Sequence, residues 1–384
     1  MSATPRLRFD RHELAGAFGD IGTDLPLLIA LVATCGLDAA SVFIVFGALQ
    51  IATGLAYGMP MPVQPLKAMA AIMLAQKLSA GTLAGGGLVI GVTMLVLATT
   101  GLLDWLARVV PKEVVRGIQL GLGLSLATLG LKDYVVSDGA RGMALALIAT
   151  LLLIALRGGR RRVPAPLLVM GLGLVYALVF HVDVSQLGAA VGFRLPSVVV
   201  PTQSELLDGA LLLALPQLPL SLGNSVIATS RATEDLFPER PVTVRRIGLT
   251  YGLMNVIAPW FGGVPTCHGC GGLVGFHAFG ARTGGAAVIY GSLYLVLGLF
   301  FAPGLATVVK IFPMPVLGVV LLFEALALML FIRDVASEPK QLYVVLAVAA
   351  AVVGLKYGYV VGLLGGTALA LALRRGLVTP PGPA

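Results

Sequence analysis

The most unusual residue in this sequence is Lys67, a lysine near the start of a short apolar stretch at residues 66–79. An irregular run, residues 57–65 (YGMPMPVQP), precedes it. A cation at the start of a helix opposes the helix dipole, and apolar surroundings add a desolvation cost. A bound anion would relieve both costs. Lys67 could instead extend to water or pair with an acid such as Asp24.

A second short apolar stretch, residues 266–279, begins with polar and small residues (TCHGCGG) after the run GGVP at 262–265. Thr266 and His268 can donate hydrogen bonds to an oxyanion, and Gly269 allows the backbone to approach a ligand closely. The spacing of Cys267 and Cys270 also occurs in zinc and redox sites. One cysteine pair on one helix is a poor ligand set, so we expect small buried cysteines and no metal or other cofactor.

Three acids lie within apolar segments. Asp20 and Asp24 are four residues apart, so they share a helix face, and Glu324 is a lone acid in a later segment. Intramembrane carboxylates usually face a cavity and often relay protons, which makes all three candidates for proton coupling. In the eighth segment, Gln217, Ser221, Asn224 and Ser225 form a polar stripe that either lines the same cavity or joins neighbouring helices through hydrogen bonds.

The composition requires lipid as the surroundings of most of the chain. Of its 384 residues, 58% are hydrophobic and 11% are charged, and the mean hydropathy is +0.96. A soluble protein has about a quarter charged residues and cannot bury so much apolar surface. The net charge of +8 could suggest nucleic acid, but the basic residues lie in loops between apolar runs. We therefore expect lipid contacts and no nucleic-acid partner.

The apolar runs predict an all-α integral membrane protein with fourteen transmembrane segments. They lie near residues 14–34, 38–57, 66–79, 83–103, 112–131, 139–156, 164–181, 206–230, 243–261, 266–279, 284–302, 314–332, 340–355 and 357–374. Basic residues concentrate in the loops after even-numbered segments. This bias places both termini in the cytoplasm and the chain in the cell membrane.

The two halves of the sequence resemble each other at an offset of about 200 residues. The run FGALQ at 46–50 recurs as YGLMN at 251–255, and DLPL at 24–27 recurs as QLPL at 217–220. Seven segments per copy is an odd number, so the pattern predicts 7+7 inverted repeats, unless the matches arise by chance in an apolar alphabet. The third and tenth segments would then be half-helices whose N-termini meet near the bilayer centre. Each carries about half a positive charge, which together favour an anion.

Four motifs resemble those of the MOT-type molybdate transporter family, which is related to sulfate permeases and uracil permeases. They are GAFGDIGTDLP at 16–26, MPVQPLKA at 61–68, PQLPLSLGNS at 216–225 and VPTCHGCGG at 264–272. The resemblance implies a secondary active transporter that moves a core domain against a gate domain by alternating access. It also implies an oxyanion substrate, with molybdate ahead of tungstate and sulfate, held between segments three and ten.

The resemblance also implies the boundaries of the domains and the members of the site. The core comprises residues 1–103 and 206–303, the gate comprises 104–205 and 304–376, and a tail covers 377–384. A homodimer is left open. The predicted substrate-binding residues are Gln64, Lys67, Ala68, Gln217, Asn224, Thr266, Cys267, His268 and Gly269.

Two other functional classes remain open on the residues alone. An anion channel on the same fold would show conductance without saturable turnover, and no sequence feature excludes it. An intramembrane enzyme would need a nucleophile beside a base, for which Cys267 and His268 are the candidates. Adjacent residues on a helix point about 100° apart, which is poor geometry for such a pair.

Overall fold

The computed structural model describes residues 6–103, 111–157, 165–180, 191–311, 313–355 and 357–378. Helices dominate these residues, as the apolar segments predict. In the first half they are α1 (Arg11–Ala17), α2 (Ile21–Cys35), α3 (Ala39–Tyr57), α4 (Lys67–Gln76), α5 (Ala80–Thr100), α6 (Lys112–Leu129), α7 (Gly139–Arg157) and α8 (Ala165–Phe180).

The second half also combines long helices with a short one. Its helices are α9 (Gln203–Leu236), α10 (Val244–Ile257), α11 (Cys270–Ala278), α12 (Gly285–Ile311), α13 (Met314–Met329), α14 (Pro339–Gly354) and α15 (Gly358–Arg374). Helix α9 contains two π-helical turns, Gly209–Ala214 and Ser221–Ile227. Two two-residue strands, β1 (Gln64–Pro65) and β2 (Thr266–Cys267), precede α4 and α11.

Each predicted segment contains a helix, but the predicted bounds are wrong in places. The first segment is broken between α1 and α2, at residues 18–20. Gly19 lies so close to the backbone of Gly275 in α11 that a side chain there would overlap it. The eighth and eleventh segments are longer than predicted.

Six helices in the described part of the chain are long and apolar enough to cross a membrane. They are Ala39–Tyr57, Ala80–Thr100, Lys112–Tyr134, Gln203–Leu236, Gly285–Gly304 and Met314–Asp334. The structure thus confirms a helical membrane protein. Fourteen crossings, the inverted repeat and the orientation of the termini stay predictions. Two of the basic loop residues on which the predicted orientation depends, Arg108 and Arg160, lie outside the described residues.

Close helix pairs build the molecule. Helix α3 packs along α12 and α5 packs along α10, while α6 packs against α13 and α14. Gly47 of α3 and Gly291 of α12 face each other, and a side chain on either would overlap the other's carbonyl oxygen. Small residues at such crossings allow close van der Waals contact, which holds helices together in lipid.

A short antiparallel ladder joins the two half-helices. Gln64 pairs with Cys267 and Pro65 with Thr266, and the Leu66 amide donates to the Pro265 carbonyl oxygen at 2.9 Å. Helices α4 and α11 begin directly after these strands, so both N-termini are fixed beside the ladder.

An amide side chain secures each strand in an equivalent way. Gln50 Oε1 accepts a hydrogen bond from the Val63 amide at 2.6 Å, and Asn255 Oδ1 accepts one from the Thr266 amide at 2.8 Å. Gln50 and Asn255 end the matching runs FGALQ and YGLMN. Equivalent roles for matched residues support the interpretation of the sequence as a repeat.

Candidate functional site

A cavity of about 190 Å³ lies against the starts of the two half-helices. Five of the predicted substrate-binding residues line it: Gln64, Lys67, Gln217, Asn224 and Cys267. The sequence did not single out the other lining residues as substrate contacts: Gln119, Leu220, Ser225, Gly271, Ala327, Leu328 and Phe331. Two signals were available in the sequence: Gln119, an amide between the apolar residues Ile118 and Leu120, and Ser225, which follows Asn224 in the polar stripe. The apolar members carry no chemical signal of their own.

Gln217 caps the start of α4. Its Oε1 accepts hydrogen bonds from the backbone amides of Ala68 at 3.0 Å and Met69 at 3.2 Å. Its Nε2 donates to Ser221 Oγ at 3.0 Å, and Ser221 Oγ lies 2.8 Å from the Tyr251 hydroxyl. Ala68 therefore belongs to the site through its backbone, and its amide already has an acceptor within the protein.

The start of α11 is different. Gly269, the residue before the helix, has no side chain of its own with which to cap it. A side chain at Gly269 would overlap Oε1 of Gln64, so glycine permits the two strands to approach. Gly271, in the first turn of α11, lines the cavity. The N–H groups of a first helical turn have no partner within the helix, so this end of α11 presents partial positive charge to the cavity.

Asp20 brings a carboxylate to the edge of the cavity. Gln64 Nε2 donates to both of its oxygens, at 2.8 and 2.7 Å. Asp20 is buried, with 4% of its surface exposed. Asp20 is the residue before α2 and Asp24 lies in the first turn of that helix, so the two acids stay close although Asp20 is outside the helix.

Asp24 is fully buried. Its Oδ2 accepts a hydrogen bond from the Tyr290 hydroxyl at 3.3 Å, and that hydroxyl lies 2.9 Å from the hydroxyl of Tyr294. Its Oδ1 has no hydrogen-bond partner in the described part of the chain. Asp24 is absent from the described lining, in contrast to the expectation that it faces the same cavity as Gln217. The side chain of Glu324 lies outside the described residues.

His268 is held in place by hydrogen bonds within the protein. Its Nδ1 donates to the Pro62 carbonyl oxygen at 2.9 Å, which leaves Nε2 to accept from Thr250 Oγ1 at 2.7 Å in the neutral ring. The His268 carbonyl oxygen accepts from Thr229 Oγ1 at 2.8 Å. Both ring nitrogens are occupied and the residue is fully buried, so in this conformation the ring offers no donor to a ligand.

Thr266 is also buried away from the described lining of the cavity. Its amide and carbonyl groups both bond Asn255, with the Asn255 Nδ2 donating to the Thr266 oxygen at 2.6 Å. Its hydroxyl has no hydrogen-bond partner within the described ranges. The direct donor role predicted for Thr266 therefore lacks geometric support, and so does the role predicted for His268. The sequence shows which residues can donate but not which way each side chain points.

A larger space of about 440 Å³, here called the vestibule, adjoins the cavity. The two spaces share Gln119, Leu220, Asn224 and Phe331. Three basic residues line the vestibule, and each contacts an acid: Lys112 and Arg116 approach Asp334 at 2.8 and 2.6 Å, and Arg374 approaches Glu113 at 2.9 Å.

The described residues contain no set of side chains that could bind a metal ion. No group of three or more His, Cys, Asp and Glu side chains lies close enough there to hold an ion. Cys267 lines the cavity and Cys270 is half-buried, and both are free thiols.

The sequence matches the model of a family described as the molybdate transporter of the MFS superfamily, over residues 12–126 and 209–328. It is 33% identical to Molybdate transporter 1 of Arabidopsis thaliana, over 85% of this chain and 80% of that protein. It is 32% identical to Molybdate transporter 2 of the same plant, over 89% and 83%. Identity to Molybdate transporter 1 of Chlamydomonas reinhardtii is 28%, over 93% and 91%.

Two solved structures share the fold. The transmembrane domain of the cyanobacterial bicarbonate transporter BicA matches with a TM-score of 0.65 at 16% identity, over 96% of this chain and 99% of that one. The murine solute carrier 26 family member A9 anion transporter, in its inward-facing state, matches with a TM-score of 0.73 at 12% identity, over 98% and 70%.

Proposed function

Because this chain belongs to the molybdate transporter family, whose members are membrane transporters and not enzymes, we propose that it carries molybdate across the cell membrane by secondary active transport. Both the family and the shared fold support transport of an anion. The choice of molybdate rests on the plant and algal relatives, because molybdate and sulfate are both tetrahedral dianions and the residues of the cavity do not distinguish them.

The observation that carries the proposal is the cavity beside Lys67. It combines one lysine, the start of α11 and the amide of Asn224, all suited to an acceptor-rich anion. Gln217 holds the start of α4, so the substrate is expected to sit nearer α11 than midway between the half-helices.

Alternating access is the proposed mode of transport. The cavity walls come from both predicted domains: Gln64 and Lys67 from the core, Leu328 and Phe331 from the gate. Relative motion of the two domains would open the cavity to one side at a time. The vestibule is lined by Lys112 and Arg374, which lie at the helix ends predicted to face the cytoplasm, so we assign this conformation to the inward-open state.

Proton coupling through Asp24 or Asp20 is part of the proposal. A dianion beside ionised carboxylates is electrostatically unfavourable, so anion binding favours their protonated forms. By linkage, proton binding then favours the anion, which yields symport. A static pairing of the acids with Lys67 is the alternative, and pH dependence distinguishes the two.

Uptake by the purified protein in liposomes tests the proposal. Labelled molybdate should enter with saturable kinetics, and tungstate should compete more strongly than sulfate, with uracil inert. Absence of molybdate uptake and binding would overturn the assignment. Conductance that does not saturate would instead support the channel alternative.

A further inference from the structure

Gln119 of α6 lies where the cavity meets the vestibule. It lines both spaces, and only 4% of its surface is exposed. The amides that line the cavity from the predicted core, Gln64 and Gln217, already donate to Asp20 and Ser221. Gln119 reaches the cavity from the predicted gate, on the opposite wall.

Hydrogen-bonding chemistry fixes which end of the Gln119 amide meets Arg116. Arg116 Nη1 lies 2.9 Å from Gln119 Oε1. A guanidinium has donors and no acceptor, so the group that meets it must be the carbonyl oxygen. The NH₂ group of Gln119 therefore occupies the other end of the amide, as a donor.

Arg116 is itself held on two sides. Its Nε and Nη2 donate to the two oxygens of Asp334 at 3.0 and 2.6 Å, and its guanidinium lies 5.1 Å from the centre of the Phe331 ring. A bidentate pair fixes the plane of the guanidinium. The Asp334 carboxylate, which Lys112 also contacts, offsets part of the charge of Arg116, and the Gln119 NH₂ group is left on the side of its amide away from Arg116.

We infer that Gln119 binds the oxyanion from the gate side through its NH₂ group, with Arg116 and Asp334 as positioning residues. The inference rests on the proposed function. A tetrahedral oxyanion offers only acceptors, so it matches this donor. Because Gln119 is on the gate, its contact forms and breaks as the gate moves, unlike the contacts from the core.

The competing explanation is that Gln119 serves only to anchor Arg116. Gln119→Glu separates the two roles, since a carboxylate keeps an acceptor for Arg116 but removes the donor and adds a negative charge. The donor role predicts that the Kd for molybdate rises at least tenfold in this variant and by a similar factor in Gln119→Leu. Gln203→Glu, at an exposed glutamine, is the matched control. Parental affinity in Gln119→Glu would overturn the donor role.

The measurement is calorimetric titration of molybdate into each purified full-length variant, with thermal unfolding alongside. A parent that binds no molybdate would overturn the proposed function itself, and the donor role with it. If Gln119→Glu fails to fold, Gln119→Leu decides. The donor role then predicts a parental melting temperature without ligand and a smaller stabilisation by molybdate. A lowered melting temperature with the parental stabilisation by molybdate would contradict it.

Discussion

At the scale of single residues, Lys67 is expected to contribute most of the charge complementarity of the site. Lys67→Ala should weaken molybdate binding by at least about 1.5 kcal/mol, roughly tenfold, because a charged hydrogen-bond donor is lost. Lys340→Ala is the matched control, since Lys340 also lies in the first turn of a helix but is exposed. Titration calorimetry measures both. Unchanged affinity for molybdate in Lys67→Ala would show that Lys67 does not contribute to binding.

Asp24 is the residue we expect to link transport to protons. Parental uptake should rise as the external pH falls, because protonation removes the repulsion between the carboxylate and a dianion. Asp24→Asn should flatten this pH profile while it preserves binding. Asp208→Asn, at an exposed aspartate of α9, should keep the parental profile. If Asp24→Asn keeps the parental pH profile, Asp24 is not the coupling residue, and either another acid couples transport to protons or transport is not proton-coupled.

The sequence predicted the chemistry of the site better than the direction of its side chains. Lys67 and Gln64 line the cavity as predicted, because an intramembrane polar group placed next to broken backbone has few other positions. His268 looked equally able to bind, yet Pro62 and Thr250 take both of its nitrogens. Those partners lie about 206 and 18 residues away in sequence, so no local pattern reveals them.

At the scale of elements, Glu13 of α1 holds the beginning of α12. Its fully buried carboxylate accepts hydrogen bonds from the backbone amides of Arg282, Thr283 and Ala286, at 3.0, 3.0 and 3.1 Å. These bonds satisfy N–H groups that the start of a helix leaves free. Helix α1 therefore docks by a charge-assisted cap as well as by packing.

Glu13→Ala should lower the free energy of unfolding by at least about 2 kcal/mol, because three backbone donors, two of them buried, lose their acceptor. The midpoint of thermal unfolding in detergent measures this loss. Glu234→Ala, at an exposed acid of α9, is the control and should unfold with the parental midpoint. Equal midpoints for Glu13→Ala and the parent would show that packing alone docks α1.

The half-helices were predictable as elements because Gly/Pro-rich chain precedes each one. Their ladder was not predictable, since two-residue strands leave no pattern of alternation. The π-helical turns of α9 were also missed. They change the hydrogen-bond register within an apolar helix, and periodicity over so few residues cannot detect the change.

At the scale of the whole molecule, alternating access predicts that joining the two walls of the vestibule stops transport. Val115 of α6 and Ile227 of α9 line it from the predicted gate and core. Cysteines at both positions, in a transport-competent chain without Cys35, Cys267 and Cys270, should block uptake when crosslinked and restore it on reduction. Single-cysteine versions are the controls. Undiminished uptake with the crosslink complete would argue against domain motion.

The ladder between β1 and β2 also bears on the energetics of accumulation. It fastens α4 and α11 to each other through Gln64, Cys267 and the bond from Leu66 to Pro265, so both half-helices should travel as one unit. The donors that these two half-helices present are then the same whichever compartment the site faces, so their contribution to the affinity is equal on the two sides. Transport by such a carrier is reversible, and the sum of the solute gradient and the coupling-ion gradient sets the direction of net flux. Liposomes preloaded with molybdate and placed in molybdate-free buffer should therefore empty through the same protein that fills them.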